Sequence, residues 1–175
     1  QIGDPNQIAY ITDVITIADF RRMDIAAGGQ GAPLVPLFHQ RILKEQSSDT
    51  ALVNIGGIAN ITYIEETLHG YDIGPGNCLI DAWCQRKLNK PYDDKGHWAR
   101  SGKLNNQLLK RLLDEPYFRV EPPKSSGKEL FNLDWLETNA IEYPLEAMNS
   151  QDVQRTLLEL TAVTISKSLK NAPNV

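Results

Sequence analysis

The sequence predicts an α/β fold, and three features of it support that class. Residues 52–73 hold three β-type runs separated by glycines and polar breaks. An amphipathic helix pattern follows at once, from about Cys78 to Leu88. Further helical stripes come later, at Leu104, Leu108, Leu109, Leu112 and Leu113 and from Gln151 to about Leu169, enough to cover a sheet.

The β-type stretch organises the chain. Leu52 to Ile55 is a short apolar run, Gly56-Gly57 turns it, and Asn60 to Ile64 returns with alternating β-branched and polar residues, which reads as a hairpin. After a polar break at Glu65 to Leu68, Gly70 to Ile73 reads as a third strand, stopped by Gly74-Pro75-Gly76-Asn77 just before the helix. Asp72 therefore stands at a strand's end, beside a Gly-rich loop and a helix N-terminus. Glycines let backbone N–H groups approach an anion, and a helix start adds about half a positive charge, so a phosphate or polar sugar can dock there. A carboxylate in that position can take a proton or hold Mg²⁺. The same glycines also serve turns for steric reasons alone, and local chemistry leaves both readings open.

Composition narrows the function classes. The 175 residues are 41% hydrophobic, enough for a core, and 18 basic against 22 acidic side chains leave a charge of −4. Nucleic-acid binding through a basic surface is excluded, and no apolar run reaches membrane-spanning length. Cys78 and Cys84, six apart on one predicted helix, fall on different faces and suit neither a disulfide nor a closed zinc site, so they read as packed thiols of a cytoplasmic protein. Histidines His39, His69 and His97 have no partner at metal-ligand spacing, and no metal site is expected.

The remaining elements follow in order. Asp4-Pro5-Asn6-Gln7 has a capping acid, proline at the first helical position and Gln three after the cap, predicting a helix to about Thr12. Val14 to Asp19 alternates as a strand would and ends in Asp19-Phe20-Arg21-Arg22, either a solvated ion pair or a clamp for an anionic substrate. Gly28, Gly29 and Gly31 match no phosphate-loop spacing and read as a hinge before the apolar helix of Leu34 to Leu43. Asp93-Asp94-Lys95-Gly96 lacks a calcium loop's acid ladder and reads as a turn. Ser126 and Glu129 fit a capping box, although two lysines and two serines in Lys124 to Lys128 suit phosphate contact equally well. Phe131, Leu133, Trp135 and Leu136 are expected to anchor short helices on the core.

Six segments, in order along the chain, resemble the anhydro-N-acetylmuramic acid kinase family. They are Ala18-Asp19-Phe20-Arg21-Arg22, the run Ala26 to Pro36 around Gly-Gly-Gln-Gly-Ala-Pro, Asn54 to Asn60, Asp72 to Asn77 with Asp81-Ala82-Trp83, and Pro123 to Glu129, with Asp152-Val153-Gln154 opening the last helix. The resemblance implies a ribonuclease-H-like lobe of the sugar kinase, heat-shock-cognate and actin superfamily, a mixed sheet flanked by helices. Residues 1–28 would end a first lobe and its hinge, and residues 29–175 would form most of a second lobe, cut short at its C-terminal end.

The activity implied is ATP- and Mg²⁺-dependent. Water opens the 1,6-anhydro bond of anhydro-N-acetylmuramic acid while O6 is phosphorylated, giving N-acetylmuramic acid 6-phosphate in bacterial cell-wall recycling. By the same resemblance Asp72 is the catalytic carboxylate, with Gly74, Gly76 and Asn77 holding it and offering backbone donors. Asn54, Gly56 and Gly57 lie toward the nucleotide phosphates, and Asp19, Arg21 and Arg22 toward the sugar. The expected partners are the sugar and ATP, with neither nucleic acid nor membrane, in a homodimer when full length. The family's opening Gly-Thr-Ser-Asp hairpin, its His-Gly-Gln-Thr segment and its closing Gly-rich adenosine loop are not among these residues, so the 175-residue piece is expected to be inactive alone. A folded non-catalytic lobe is the competing reading; a glucokinase-like or acetate-kinase-like enzyme would share the superfamily but not the Asp-Phe-Arg-Arg segment.

Overall fold

The computed structural model describes residues 3–42, 50–64 and 68–169. Among the described residues it is an α/β structure of three strands and eight α-helices. The Asp4 carboxylate accepts the N–H of Asn6 at 2.9 Å and caps α1 (Pro5–Thr12), as its sequence predicts. Residues 14–19 do not form the expected strand. Val14, Ile15 and Ile17 are 60%, 92% and 75% exposed. Alternation makes a strand only where a neighbouring strand pairs with it, and no other strand reaches this segment. Two short helices follow, α2 (Arg22–Ala26) and α3 (Val35–Ile42).

The sheet comprises β1 (Thr50–Ile55), β2 (Ile58–Ile64) and β3 (Leu68–Pro75), in the order β1-β2-β3. Both pairings are antiparallel, so among the described residues the expected mixed sheet is an antiparallel one. The reason lies in the connections: a two-residue Gly56-Gly57 turn and a three-residue link at 65–67 can only reverse the chain, since a parallel neighbour needs a crossover of about a dozen residues. The third strand is longer than the predicted Gly70 to Ile73. Of the polar break expected at Glu65 to Leu68, residues 65–67 lie outside the described residues and Leu68 opens β3.

The two sheet faces are used differently. Ala51, Ala59, Ile61, Tyr63 and Ile73 form a buried cluster that packs on Ile165 and Leu169 of α8 (Ser150–Leu169). The opposite face meets α3, where His39 Nδ1 lies 3.0 Å from the Thr62 hydroxyl. A larger core joins α4 (Cys78–Leu88), α6 (Asn106–Leu113), α7 (Leu133–Asn139) and α8 around Trp83, Leu108, Phe131, Leu136, Leu157 and Leu160. The Trp83 indole donates to the carbonyl of Ser150 at 2.9 Å, tying α4 to the start of α8. Between them, the Asp93 carboxylate accepts the N–H groups of Trp98 and Ala99 and caps α5 (His97–Ser101), which gives the predicted turn its purpose. No helix among the described residues is long and apolar enough to cross a membrane.

The capping box expected at Ser126 and Glu129 does not form. No α-helix begins there: the N–H groups of Leu130 and Phe131 both return to the carbonyl of Gly127, and α7 starts later, capped by Asn132, whose side chain accepts the N–H of Trp135 at 2.9 Å. The turn buries Phe131 and leaves Ser126 beside β3 instead.

Candidate active site around Asp72

A register shift places Asp72. On β2, Ala59 faces Gly74 while its neighbour Asn60 faces Asp72, so Ile73 is an extra residue on β3 and the strand bulges there. Ile73 turns into the apolar cluster under α8, and Asp72 falls on the other face. Asn54 of β1 pairs with Asn60, so Asn54, Asn60 and Asp72 form one row across the three strands.

Asp72 is 7% exposed and held at three points. Its N–H donates to the carbonyl of Lys124 at 3.2 Å, its carbonyl accepts the Tyr117 hydroxyl at 2.7 Å, and its Oδ2 accepts the N–H of Ser126 at 3.1 Å. Residues 124–126 thus run along the outer edge of β3. Burial pushes the Asp72 carboxyl above its ordinary value, opposed by the Ser126 N–H and by the charge of Arg21, and reinforced by Glu129. A fixed carboxylate of raised basicity is what proton abstraction requires. Two neighbouring acceptors, Asn60 Oδ1 and Ser126 Oγ, are buried with no protein partner.

The glycines have a different local task from the one expected. The N–H groups of Gly76 and Cys78 donate to the carbonyl of Gly57 at 2.9 and 3.0 Å, and that of Asn77 to the carbonyl of Gly56 at 2.8 Å. The start of α4 is therefore satisfied by the hairpin turn, and the N–H groups of Gly76 and Asn77 are not available to a ligand. A Cβ on Gly76 would collide with the Gly56 carbonyl oxygen. Gly74 has φ 151°, a conformation that side chains rarely adopt, with the Phe118 ring packed against it. The Thr161 hydroxyl of α8, 3.1 Å from the Pro75 carbonyl and 2.9 Å from that of Gly76, fixes the bend from behind.

Of the three charged residues expected near the sugar, only Arg21 acts on Asp72. Its Nη1 donates to the Gly31 carbonyl at 2.5 Å, and its charge favours ionised Asp72. Arg22 pairs with Asp19 at 3.3 Å in an exposed contact of little energetic weight. Asn54 is exposed on the row, and Gly56 and Gly57 form the turn above α4. Lys128 reaches over that turn, its Cε and Nζ 3.2 and 3.9 Å from where a Cβ on Gly57 would stand.

Sequence reasoning missed Asn60, and it read Ser126 and Lys128 as a helix cap or a phosphate contact without placing either beside Asp72 or the hairpin turn. Asn60 carried a signal, because asparagine is disfavoured inside strands. Ser126 carried none: its bond spans 54 residues. Among the described residues no three His, Cys, Asp or Glu gather as metal ligands. A cavity of about 1150 Å³ lies on the other sheet face and is lined by Tyr63, Tyr71 and Lys124, not by Asp72.

A family model for anhydro-N-acetylmuramic acid kinase matches residues 1–174. The chain belongs to that family. The anhydro-N-acetylmuramic acid kinase of Coxiella burnetii (strain Dugway 5J108-111) is 51% identical to it over 175 residues, covering 98% of this chain and 46% of its own length. The enzyme of that name from Shewanella sp. (strain ANA-3) is 53% identical over 177 residues, covering 99% and 47%. The chain thus spans about half the length of these anhydro-N-acetylmuramic acid kinases, and the Asp72 row lies within the matched half.

Proposed function

We propose that the complete protein is an ATP-dependent kinase that opens the 1,6-anhydro bond of anhydro-N-acetylmuramic acid with water and phosphorylates O6, a cytoplasmic step of bacterial cell-wall recycling. The observation that carries this reading is Asp72 itself, a buried carboxylate locked by backbone bonds with its basicity raised, in a chain of this family. We read the sheet and its helices as part of a ribonuclease-H-like second lobe, residues 1–28 as the end of a first lobe, and the working enzyme as a homodimer.

In the mechanism, Asp72 takes a proton from water as the water oxygen bonds to the anomeric carbon. The bond from that carbon to O6 breaks, O6 keeps the electron pair and takes the γ-phosphoryl group of ATP, and ADP leaves. The Ser126 N–H keeps the Asp72 carboxylate aimed through the reaction, and Arg21 offsets the charge of the ionised acid. Lys128 above the hairpin turn supplies a cation toward the phosphates. Mg²⁺ bound with ATP would supply further positive charge at the phosphates.

The test is a kinase assay of the complete gene product with ATP and anhydro-N-acetylmuramic acid, followed by phosphorus NMR and product mass. A product heavier by one water and one phosphoryl group is expected, with no turnover by residues 1–175 alone. Absence of phosphorylated sugar from the complete protein would refute the reading; turnover by the 175-residue piece would refute its inactivity.

A further inference from the structure

Asp72 accounts for proton removal but not for how the attacking water is held. A water that loses a proton to a carboxylate has a second hydrogen and two lone pairs, and one contact to a carboxylate leaves it free to swing. The structure places the missing contacts beside the base. Asn60 stands directly across the strand pair from Asp72, and Ser126 gives its N–H to the Asp72 carboxylate, so both residues flank the base. Asn60 Oδ1 and Ser126 Oγ are buried without a hydrogen-bond partner among the described residues, although an orphaned buried acceptor or hydroxyl carries an uncompensated desolvation cost. Such groups are normally satisfied, and here one belongs to the residue paired with Asp72 and the other to the residue whose N–H the Asp72 carboxylate accepts.

We infer that Asn60 Oδ1 and Ser126 Oγ hold the nucleophilic water against Asp72, the amide oxygen accepting its second hydrogen and the hydroxyl donating to its oxygen. Both are positioning residues, and the proposal rests on the kinase reading given above. A hydroxyl donated to that oxygen leaves one lone pair for the anomeric carbon, so the geometry selects an orientation for attack as well as a place. Asn60 and Ser126 thereby reserve the site for a nucleophile no larger than water.

The test uses the complete enzyme. Ser126→Ala keeps the N–H that bonds Asp72 and removes only an unpartnered hydroxyl, so melting temperature should hold or rise while kcat falls about tenfold to a hundredfold and the sugar KM stays put. A kcat near wild type, or a loss that follows a lower melting temperature, would overturn the proposal. Asn60→Asp gives an independent readout. A second carboxylate opposite Asp72, added to the fields of Arg21 and Glu129, should move the acid limb of the kcat–pH profile to higher pH. An unmoved limb would contradict it. A wild-type enzyme without activity would count against the kinase reading, whereas active wild type with unaffected variants counts against the water site alone.

Discussion

The main-chain N–H of Ser126 donates to Oδ2 of Asp72 at 3.1 Å across 54 residues of sequence. Two residues back, the Lys124 carbonyl takes the Asp72 N–H at 3.2 Å, so one short segment grips the acid by backbone and by side chain. The carboxylate's position is therefore set by the main chain of β3 and of the 124–126 segment, and side-chain substitutions nearby act on chemistry more than on aim.

Asp72 lowers stability when ionised. Burial raises its carboxyl above the ordinary 3.8, so the native state binds this proton more readily than the unfolded chain does. The contribution to unfolding free energy falls as pH rises from the ordinary value through the raised one, and is flat above it. Asp72→Asn removes that dependence while keeping an acceptor for the Ser126 N–H. Urea unfolding should show the variant gaining on wild type across that window; a wild type that gains on the variant as pH rises would contradict the assignment.

Gly76 is predicted to be intolerant of any side chain. Its Cβ would meet the backbone oxygen of Gly56, which cannot move without undoing the bonds from residues 76–78 to the hairpin. Gly76→Ala should cost about 3 kcal/mol, the upper end for overpacking, measured by chemical denaturation. A cost below about 1 kcal/mol would mean that the turn and α4 are not locked together.

Leu157 is 1% exposed at the centre of the helical core. Leu157→Ala should destabilise by about 2–5 kcal/mol with little change in denaturant slope, because it leaves a cavity that rigid neighbours fill poorly.

Lys128 lies over Gly57, and Lys128→Met keeps the aliphatic stem there while deleting the charge. The complete enzyme should show a KM for ATP raised by about tenfold, as for loss of one charge-assisted phosphate contact, with an unchanged melting temperature. An unaltered ATP dependence would remove Lys128 from the nucleotide site.

How much of this the sequence disclosed depended on range. The α1 cap, the Gly56-Gly57 hairpin, α4 and α8 are set by neighbours a few residues apart, and all appear close to their expected bounds. Residues 14–19 failed because alternation does not reveal whether a partner strand exists. The Ser126-x-x-Glu129 pattern failed because a distant carboxylate claims the Ser126 N–H and no helix follows. Asp72 was legible from its place at a strand end before glycines. Its water-holding neighbours and the plugging of α4 by the hairpin carbonyls were not, since both arise from tertiary contacts.

The central claim is most directly tested by steady-state turnover of Asp72→Asn in the complete enzyme, alongside calorimetric binding of the anhydro sugar. The account predicts kcat at least about a hundredfold below wild type with sugar affinity largely kept, the pattern of a lost general base. Wild-type turnover in that variant would contradict it and place the base elsewhere.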